Sequence, residues 1–214
     1  MRTRIFNLII LDESGSMEYI KRAAVDSINE SLQSIRRAQR NYEEQEHFVT
    51  FVTFNDDMKT LFECTPIDMV NDIAMKDYNP SCCTALYDAM GCSLKRLRKR
   101  VSGQDKVLVT VVTDGYENSS REYRARDIKS LVEELKGEGW VFAYIGANQD
   151  AKQVGAGLAI ENTLEFSATE LGTKEMSRRV SRGRDRLFCF MADEDYSASE
   201  ANSSFFDTED NDEQ

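Results

Sequence analysis

Short apolar runs alternate with amphipathic helical patterns along most of this 214-residue chain, and this alternation constrains the fold more than any other feature. Residues 5–11 and 107–113 consist mainly of Ile, Leu and Val, which is typical of strands that are buried on both faces. In residues 18–42 and 121–136, apolar side chains recur at helical spacing instead. Strands that alternate with helices predict a parallel sheet with helices on both faces.

A hairpin and two further strands complete the predicted sheet. Residues 46–55 and 58–64 are β-branched and aromatic runs joined by a polar turn, which predicts the hairpin. Similar short apolar runs predict strands at 140–147 and 162–166, and a last helical pattern covers residues 169–182.

The C-terminal segment differs in composition from the rest of the chain. Residues 191–214 contain nine Asp or Glu and no Lys or Arg, so most of the formal net charge of -11 lies there. An acidic, Ser-rich segment with few apolar residues predicts disorder. We therefore expect one domain, residues 1–190, followed by an acidic disordered tail, residues 191–214.

Composition also argues against several classes of protein. The net charge of -11 disfavours a nucleic-acid binder. The N-terminal apolar run stops at Asp12, which makes it too short for a signal peptide or a membrane span. The five Cys show no CxxC spacing of the kind that binds metals. We expect a cytoplasmic protein with reduced thiols and with neither nucleic acid nor membrane as a partner.

Carboxylates and hydroxyls follow the predicted central strands. Asp12 and Asp114 end the two most apolar strands, Ser14 and Ser16 alternate after Asp12, and Thr84 opens the helix that leads to the second strand. In an open parallel sheet, ligands bind beyond the carboxyl ends of the strands, where the winding direction reverses. Two carboxylates and three hydroxyls form an all-oxygen set, which suits a hard cation such as Mg²⁺ or Mn²⁺.

Three motifs in this set resemble the metal-ion-dependent adhesion site (MIDAS) of von Willebrand factor A domains. They are Asp12-Glu-Ser14-Gly-Ser16, "TALYDA" beginning at Thr84, and "TDG" containing Asp114, in the family's order. The segment "YIGANQDA" is similar to small, stand-alone bacterial members. The resemblance implies a Rossmann-like, doubly wound α/β sheet, mostly parallel, with helices on both faces. The 46–64 hairpin would supply its antiparallel edge strand.

The resemblance also implies a non-catalytic protein-binding module. A divalent cation would be held directly or through water, with one coordination position left for an Asp or Glu of a protein partner. The family suggests AAA+ ATPases, or stress and defence complexes, as partners. The loops that border the metal would set specificity. The implied metal ligands are Asp12, Ser14, Ser16, Thr84 and Asp114, and the implied rim residues are Glu13, Met17, Tyr19, Tyr116, Glu117 and Asn118.

The sequence departs from the family at Cys82 and Cys83, where members commonly have glycines. Whether these two cysteines form a disulfide stays open at this point.

Two alternatives fit part of the pattern. Haloacid-dehalogenase-like phosphatases also bind Mg²⁺ beside an Asp that follows the first strand, but they need a second Asp two residues later as the general acid. Ser14 stands there, and a hydroxyl is a poor proton donor at neutral pH. The other alternative is a structural scaffold with a vestigial metal site, which the intact five-residue set disfavours.

Overall fold

The structure is a computed structural model that describes residues 2–147, 150–193 and 195–206. Within these ranges, six strands form one sheet with the order β3-β2-β1-β4-β5-β6. Neighbouring strands are parallel, except for the antiparallel pair β2–β3 at one edge. The strands are β1 (Thr3–Asp12), β2 (Gln45–Phe54), β3 (Met58–Pro66), β4 (Lys106–Thr113), β5 (Trp140–Ala147) and β6 (Asn162–Phe166).

Helices cover both faces of the sheet, so the predicted fold class is confirmed. The helices are α1 (Lys21–Asn41), α2 (Leu86–Arg98), α3 (Ala125–Gly137), α4 (Ala151–Gly157), α5 (Glu170–Met191) and α6 (Ala198–Ser204). Short 3-10 turns occupy Gly15–Ile20, Ile67–Met69 and Met75–Asp77.

Two hydrophobic cores explain why the β1 sequence is almost continuously apolar. Ile9 of β1 belongs to the core that α1 and α5 cover, whereas Leu8 and Ile10 belong to the core that α2 and α3 cover. Successive side chains of a strand point to opposite faces, so a strand between two cores needs apolar residues at nearly every position.

The order of the strands places a crevice at β1 and β4. The chain winds from β1 through α1 to β2 on one side, and then returns through α2 to β4 on the other side of β1. The connections therefore diverge at the carboxyl ends of β1 and β4, which is where open α/β sheets bind ligands.

The pairing of β2 with the edge strand β3 is irregular. Its register shifts between Val49 and Phe51 and again between Phe51 and Val52. The β3 strand is only partly buried along its length.

The C-terminal segment differs from the disordered tail that composition predicts. Helix α5 continues to Met191, and α6 follows with Ala201, Asn202 and the adjoining Phe205 buried. Apolar packing against the core is supplemented by two buried amides, because Asn202 hydrogen-bonds the backbone of β5 and Asn162 of β6 hydrogen-bonds the backbone of residues 201 and 205. The end of the packed structure is therefore not at residue 190. Residues 207–214 of the predicted tail lie outside the described residues.

In the part of the chain that the structure describes, no helix combines the length and the apolar character that crossing a membrane requires.

His47, the one histidine, lies buried in β2 beneath α5. Its Nε2 is 3.0 Å from Gln45 Oε1, and its ring meets the Phe188 ring edge-on at 4.6 Å between centroids. Nδ1 is buried and has no hydrogen-bond partner among the described residues. A proton added there would have no acceptor, so burial lowers the pKa of His47 to about 4.

We expect the NMR titration of the single histidine ring to give a pKa near 4 in the folded protein. The folded pKa is lower than the unfolded one, so the stability that neutral His47 contributes is present above about pH 6.5 and is lost as the pH falls toward 4. The full loss is about 3 kcal/mol in the free energy of unfolding. The same titration in urea should give a pKa near 6.5. A folded-state pKa of 6.5 or higher would contradict the buried, neutral assignment.

Candidate functional site

Asp12 and Asp114 lie side by side because β1 and β4 are adjacent and end at the same level. Leu11 pairs with Val112 in the parallel ladder, one residue before each strand ends. Asp12 is fully buried, and its carboxylate accepts two hydrogen bonds. Thr113 Oγ1 donates to Oδ2 at 2.6 Å, and the Ser14 backbone N–H donates to Oδ1 at 2.7 Å. These bonds fix the orientation of the carboxylate at the floor of the crevice.

The two serine hydroxyls connect the two carboxylates. Ser14 Oγ lies 3.2 Å from Ser16 Oγ, and Ser16 Oγ donates to Asp114 Oδ1 at 2.6 Å. Ser14 is buried, whereas Ser16 faces solvent. The loop after β1 thus presents a row of oxygen atoms that leads from the buried interior to the surface.

Gly115 marks the point around which the predicted ligands gather. A Cβ atom at this position would lie 3.1 Å from Thr84 Oγ1 and 3.8 Å from both Asp12 Oδ2 and Ser16 Oγ. A side chain here would therefore intrude among oxygens that come from two separate segments, the loop after β1 and the loop before α2. The structure brings all five predicted residues together at this place.

Thr84 is held by a reciprocal pair of hydrogen bonds with the loop after β4. The Thr84 backbone N–H donates to Asn118 Oδ1 at 2.9 Å, and the Asn118 N–H donates to the Thr84 carbonyl at 3.0 Å. Glu117 accepts the Tyr87 N–H at 2.9 Å, which satisfies a free donor in the first turn of α2. Asp88 accepts the backbone N–H groups of residues 121–123.

These supporting contacts were not predicted from the sequence. Glu117 and Asn118 were expected on the rim, but their side chains bind the backbone of the Thr84 loop and of α2. Asn118 nevertheless stays exposed, whereas Met17 and Glu13 are buried and do not form an exposed rim. Tyr19 and Tyr116 do project into solvent, with exposed fractions of 94% and 61%.

A backbone hydrogen bond also joins the loop after β1 to the loop that carries Cys82. The Gly15 N–H donates to the Cys82 carbonyl at 3.1 Å, and Cys82 has a left-handed backbone with φ of 62°. That conformation suits glycine, the residue that the family commonly has in this loop. Cys82 and Cys83 are exposed and free in the structure, rather than joined as a disulfide.

Burial makes the site electrostatically unusual. Burial raises the pKa of Asp12 to about 6, against the opposing effect of its hydrogen bonds from Thr113 and Ser14. Burial likewise raises the pKa of Asp114 above its usual range, and the hydrogen bond from Ser16 opposes this. Two adjacent carboxylates that have lost much of their water are stabilised by a nearby cation.

The donor set fits a hard divalent cation. Among the described residues, no cluster of three or more His, Cys, Asp or Glu is positioned to hold a metal. The present set is of another kind, because it combines two carboxylates with three hydroxyls around a position that a Cβ would fill. Oxygen-only donors are the ligands that Mg²⁺ and Mn²⁺ prefer.

Comparisons with known proteins agree with this architecture. The sequence model of the von Willebrand factor type A domain matches residues 8–179. A comparison with curated proteins gives no match.

Several solved structures have the same fold. A von Willebrand factor type A protein from Catenulispora acidiphila aligns with a TM-score of 0.65 and 13% identity, covering 86% of this chain and 43% of that one. The ArnB paralog VWA2 from Sulfolobus acidocaldarius gives 0.55 and 20%, with coverages of 85% and 45%. Proximal thread matrix protein 1 from the mussel byssus, with a zinc occupied MIDAS motif, gives 0.55 and 16%, with coverages of 85% and 46%. The present chain spans a little under half the length of these proteins.

Proposed function

The chain belongs to the von Willebrand factor type A family, and from this premise we propose that it is a protein-binding module that grips a partner through a divalent cation. The proposed ligands complete a MIDAS, and the partner contributes an Asp or Glu carboxylate. The observation that supports this most directly is the gathering of Asp12, Ser16 and Thr84 oxygens around Gly115, where Ser16 also donates to the Asp114 carboxylate. The ligands are Asp12, Ser14, Ser16, Thr84 and Asp114.

Each part of the site has a separate task in this proposal. Asp12 and Asp114 balance the charge of the cation, while the hydroxyls add neutral donors. Thr113 and the Ser14 backbone keep the Asp12 carboxylate aimed into the crevice, and Asn118 keeps the Thr84 loop in place. The bound cation supplies a hard electrophilic centre for a carboxylate of the partner.

We propose Mg²⁺ as the cation, with Mn²⁺ as a substitute. The mussel byssus relative is described with a zinc occupied MIDAS motif, so a divalent metal occupies the site of that protein. Zinc sites in proteins favour nitrogen and sulfur ligands, whereas the five residues here offer oxygen alone.

The proposed module is non-catalytic. The haloacid-dehalogenase alternative has no support, because the matched family is a different one and Ser14 stands where that mechanism needs an acid. The Ser14 hydroxyl instead lies beside the Ser16 hydroxyl within the oxygen row. On the family resemblance we propose a cytoplasmic partner such as an AAA+ ATPase or a stress or defence complex.

Removing the metal should release the partner. We expect proteins captured on the chain with Mg²⁺ to be eluted by EDTA, with an affinity loss of about a hundredfold, because a carboxylate contact to the cation is lost. Thr84→Ala should weaken capture by about tenfold and leave the circular dichroism spectrum unchanged, since its hydroxyl is proposed as a ligand. Affinity capture from the native organism measures this, with the natural chain and the Thr84→Ala variant used in parallel.

Thr65→Ala, on the edge strand β3, is the matched control. This variant should capture the partner as well as the natural chain does. Equal capture in EDTA and by the Thr84 variant would show that recognition uses another surface. Mg²⁺-dependent phosphatase turnover that disappears in Asp12→Asn would instead favour the enzyme alternative.

A further inference from the structure

A groove runs between α1 and the start of α5, next to the turn that carries Ser16. It has a volume of about 630 Å³, with Tyr19 at one end, Gln33 at the other, and Ser177 on the α5 side. Tyr19 follows Ser16 by three residues within the same 3-10 turn. One end of the groove is therefore lined by the turn that carries Ser16, and the groove extends from there along α1.

Two unusually exposed apolar side chains lie on the elements that form the groove, and one of them, Tyr19, lines the groove itself. Tyr19 is 94% exposed, and Leu171, which follows the lining residue Glu170, is 77% exposed. No other large apolar side chain among the described residues is as exposed as these two. Packing within the chain does not explain them, and exposed tyrosines are frequent anchors of protein interfaces.

The charges along the groove leave one carboxylate without a counter-charge. Arg22 pairs with Asp26 at 4.0 Å, and Lys174 pairs with Glu170 at 2.9 Å. The remaining charged residue of the lining is Glu30, midway along α1. Glu30 accepts a hydrogen bond from a serine of α5, but it has no ion-pair partner among the described residues. The groove thus has a place for a positive group from outside.

We propose that this groove is the second part of the partner-binding surface and that an extended segment of the partner occupies it. This segment places a carboxylate on the metal, an apolar side chain against Tyr19, and a Lys or Arg beside Glu30. The inference rests on the proposed function, because the metal fixes one end of the segment.

The geometry of the groove also predicts how far apart the acidic and the basic residue stand in the sequence of the partner segment. A helix rises 1.5 Å per residue, so Glu30 lies about 15 Å along the α1 axis from Ile20. An extended chain covers about 3.3 Å per residue. Allowing for the remaining distance to the metal, the acidic and basic residues of the partner should stand about five to seven positions apart.

A displayed peptide library with one fixed Asp, selected on the Mg²⁺-loaded chain, tests this. We expect enrichment of Lys or Arg about five to seven positions from the Asp, with an apolar residue between them. Glu30→Gln and Tyr19→Ala should each weaken the best synthetic peptide about tenfold. Replacing the peptide's basic residue by Gln should cost about tenfold on the natural chain and little on Glu30→Gln, as expected for a direct pair. Glu133→Gln, on helix α3 at the opposite face of the sheet, is the matched control.

The outcomes separate the two proposals. Peptides that EDTA releases, but that neither Glu30→Gln nor Tyr19→Ala affects, would overturn the groove and leave the metal function standing. Peptides that bind equally well in EDTA would overturn the metal function itself. A Mg²⁺-dependent dimer in sedimentation without peptide, dissociated by Glu30→Gln, would show that a second copy occupies the groove and would overturn the partner segment. Selected peptides whose acidic and basic residues lack this spacing would also count against the proposed partner segment.

Discussion

Asp12→Ala and Asp114→Ala should each abolish binding of Mg²⁺ and Mn²⁺ while the fold survives. The two carboxylates are the only charged members of the proposed ligand set, so losing either leaves the cation without half of its counter-charge. We expect affinity to fall by at least about a hundredfold in isothermal titration calorimetry. Asp68→Ala, an exposed acid outside the site, should bind as the natural chain does.

In the metal-free protein, we expect Asp12→Asn to cause little loss in the free energy of unfolding. At pH 7 the buried carboxylate is charged although burial has removed much of its hydration. This loss of hydration raises its pKa to about 6. Because the folded pKa lies above the unfolded value, this carboxylate destabilises the metal-free fold increasingly as the pH rises from about 4 through 6. The amide oxygen still accepts the Ser14 N–H, and the side chain carries no charge. The Thr113 hydroxyl loses Asp12 Oδ2 as its acceptor but keeps the Gly115 carbonyl, 3.0 Å away. Unchanged metal binding in both alanine variants would remove the proposed site.

Asn202→Ala should be the most destabilising single change near the C-terminus. Asn202 Oδ1 accepts the Phe142 N–H at 3.0 Å, and Nδ2 donates to the Trp140 carbonyl at 2.8 Å. Alanine would leave both backbone groups of β5 buried without partners. We expect a loss of about 3 kcal/mol in the free energy of unfolding, measured by urea denaturation.

The matched control for this change is Ser203→Ala, an exposed position of the same helix, which should change the stability by less than about 0.5 kcal/mol. Hydrogen exchange should also show faster exchange of the α6 amides in Asn202→Ala than in the control. Equal stability of the two variants would mean that α6 contributes nothing to the packed domain, as the sequence-based prediction of a disordered tail implies.

The central strands and the proposed ligands were predictable because their signals are local. Burial on both faces makes β1 and β4 continuously apolar, and the residues that follow such strands must lie at one edge of the sheet. Asp12 and Asp114 follow from that rule alone. Thr84 was placed with them by its position before the helix that leads to β4, although a threonine before a helix is also an ordinary cap, and the family resemblance added support.

The supporting contacts were not predictable because they join residues far apart in sequence. The pairing of Thr84 with Asn118 spans 34 positions, and an Asn in a polar loop carries no sign of it. The same holds for Asn202, whose amide completes hydrogen bonds of β5 from 60 positions away. Composition described the segment around Asn202 as acidic and disordered, whereas its few buried groups determine how it packs.

The irregular edge of the sheet has a consequence for how copies of the chain behave at high concentration. An exposed edge strand offers unpaired backbone groups on which another chain can add a strand, and this is a route to aggregation. The two register shifts between β2 and β3 disturb the flat ladder that such addition needs. Lys59, Glu63 and Pro66 on β3 add charge and remove a donor. Strand addition at β3 is thereby disfavoured, and copies of the chain should stay separate along this edge at high concentration.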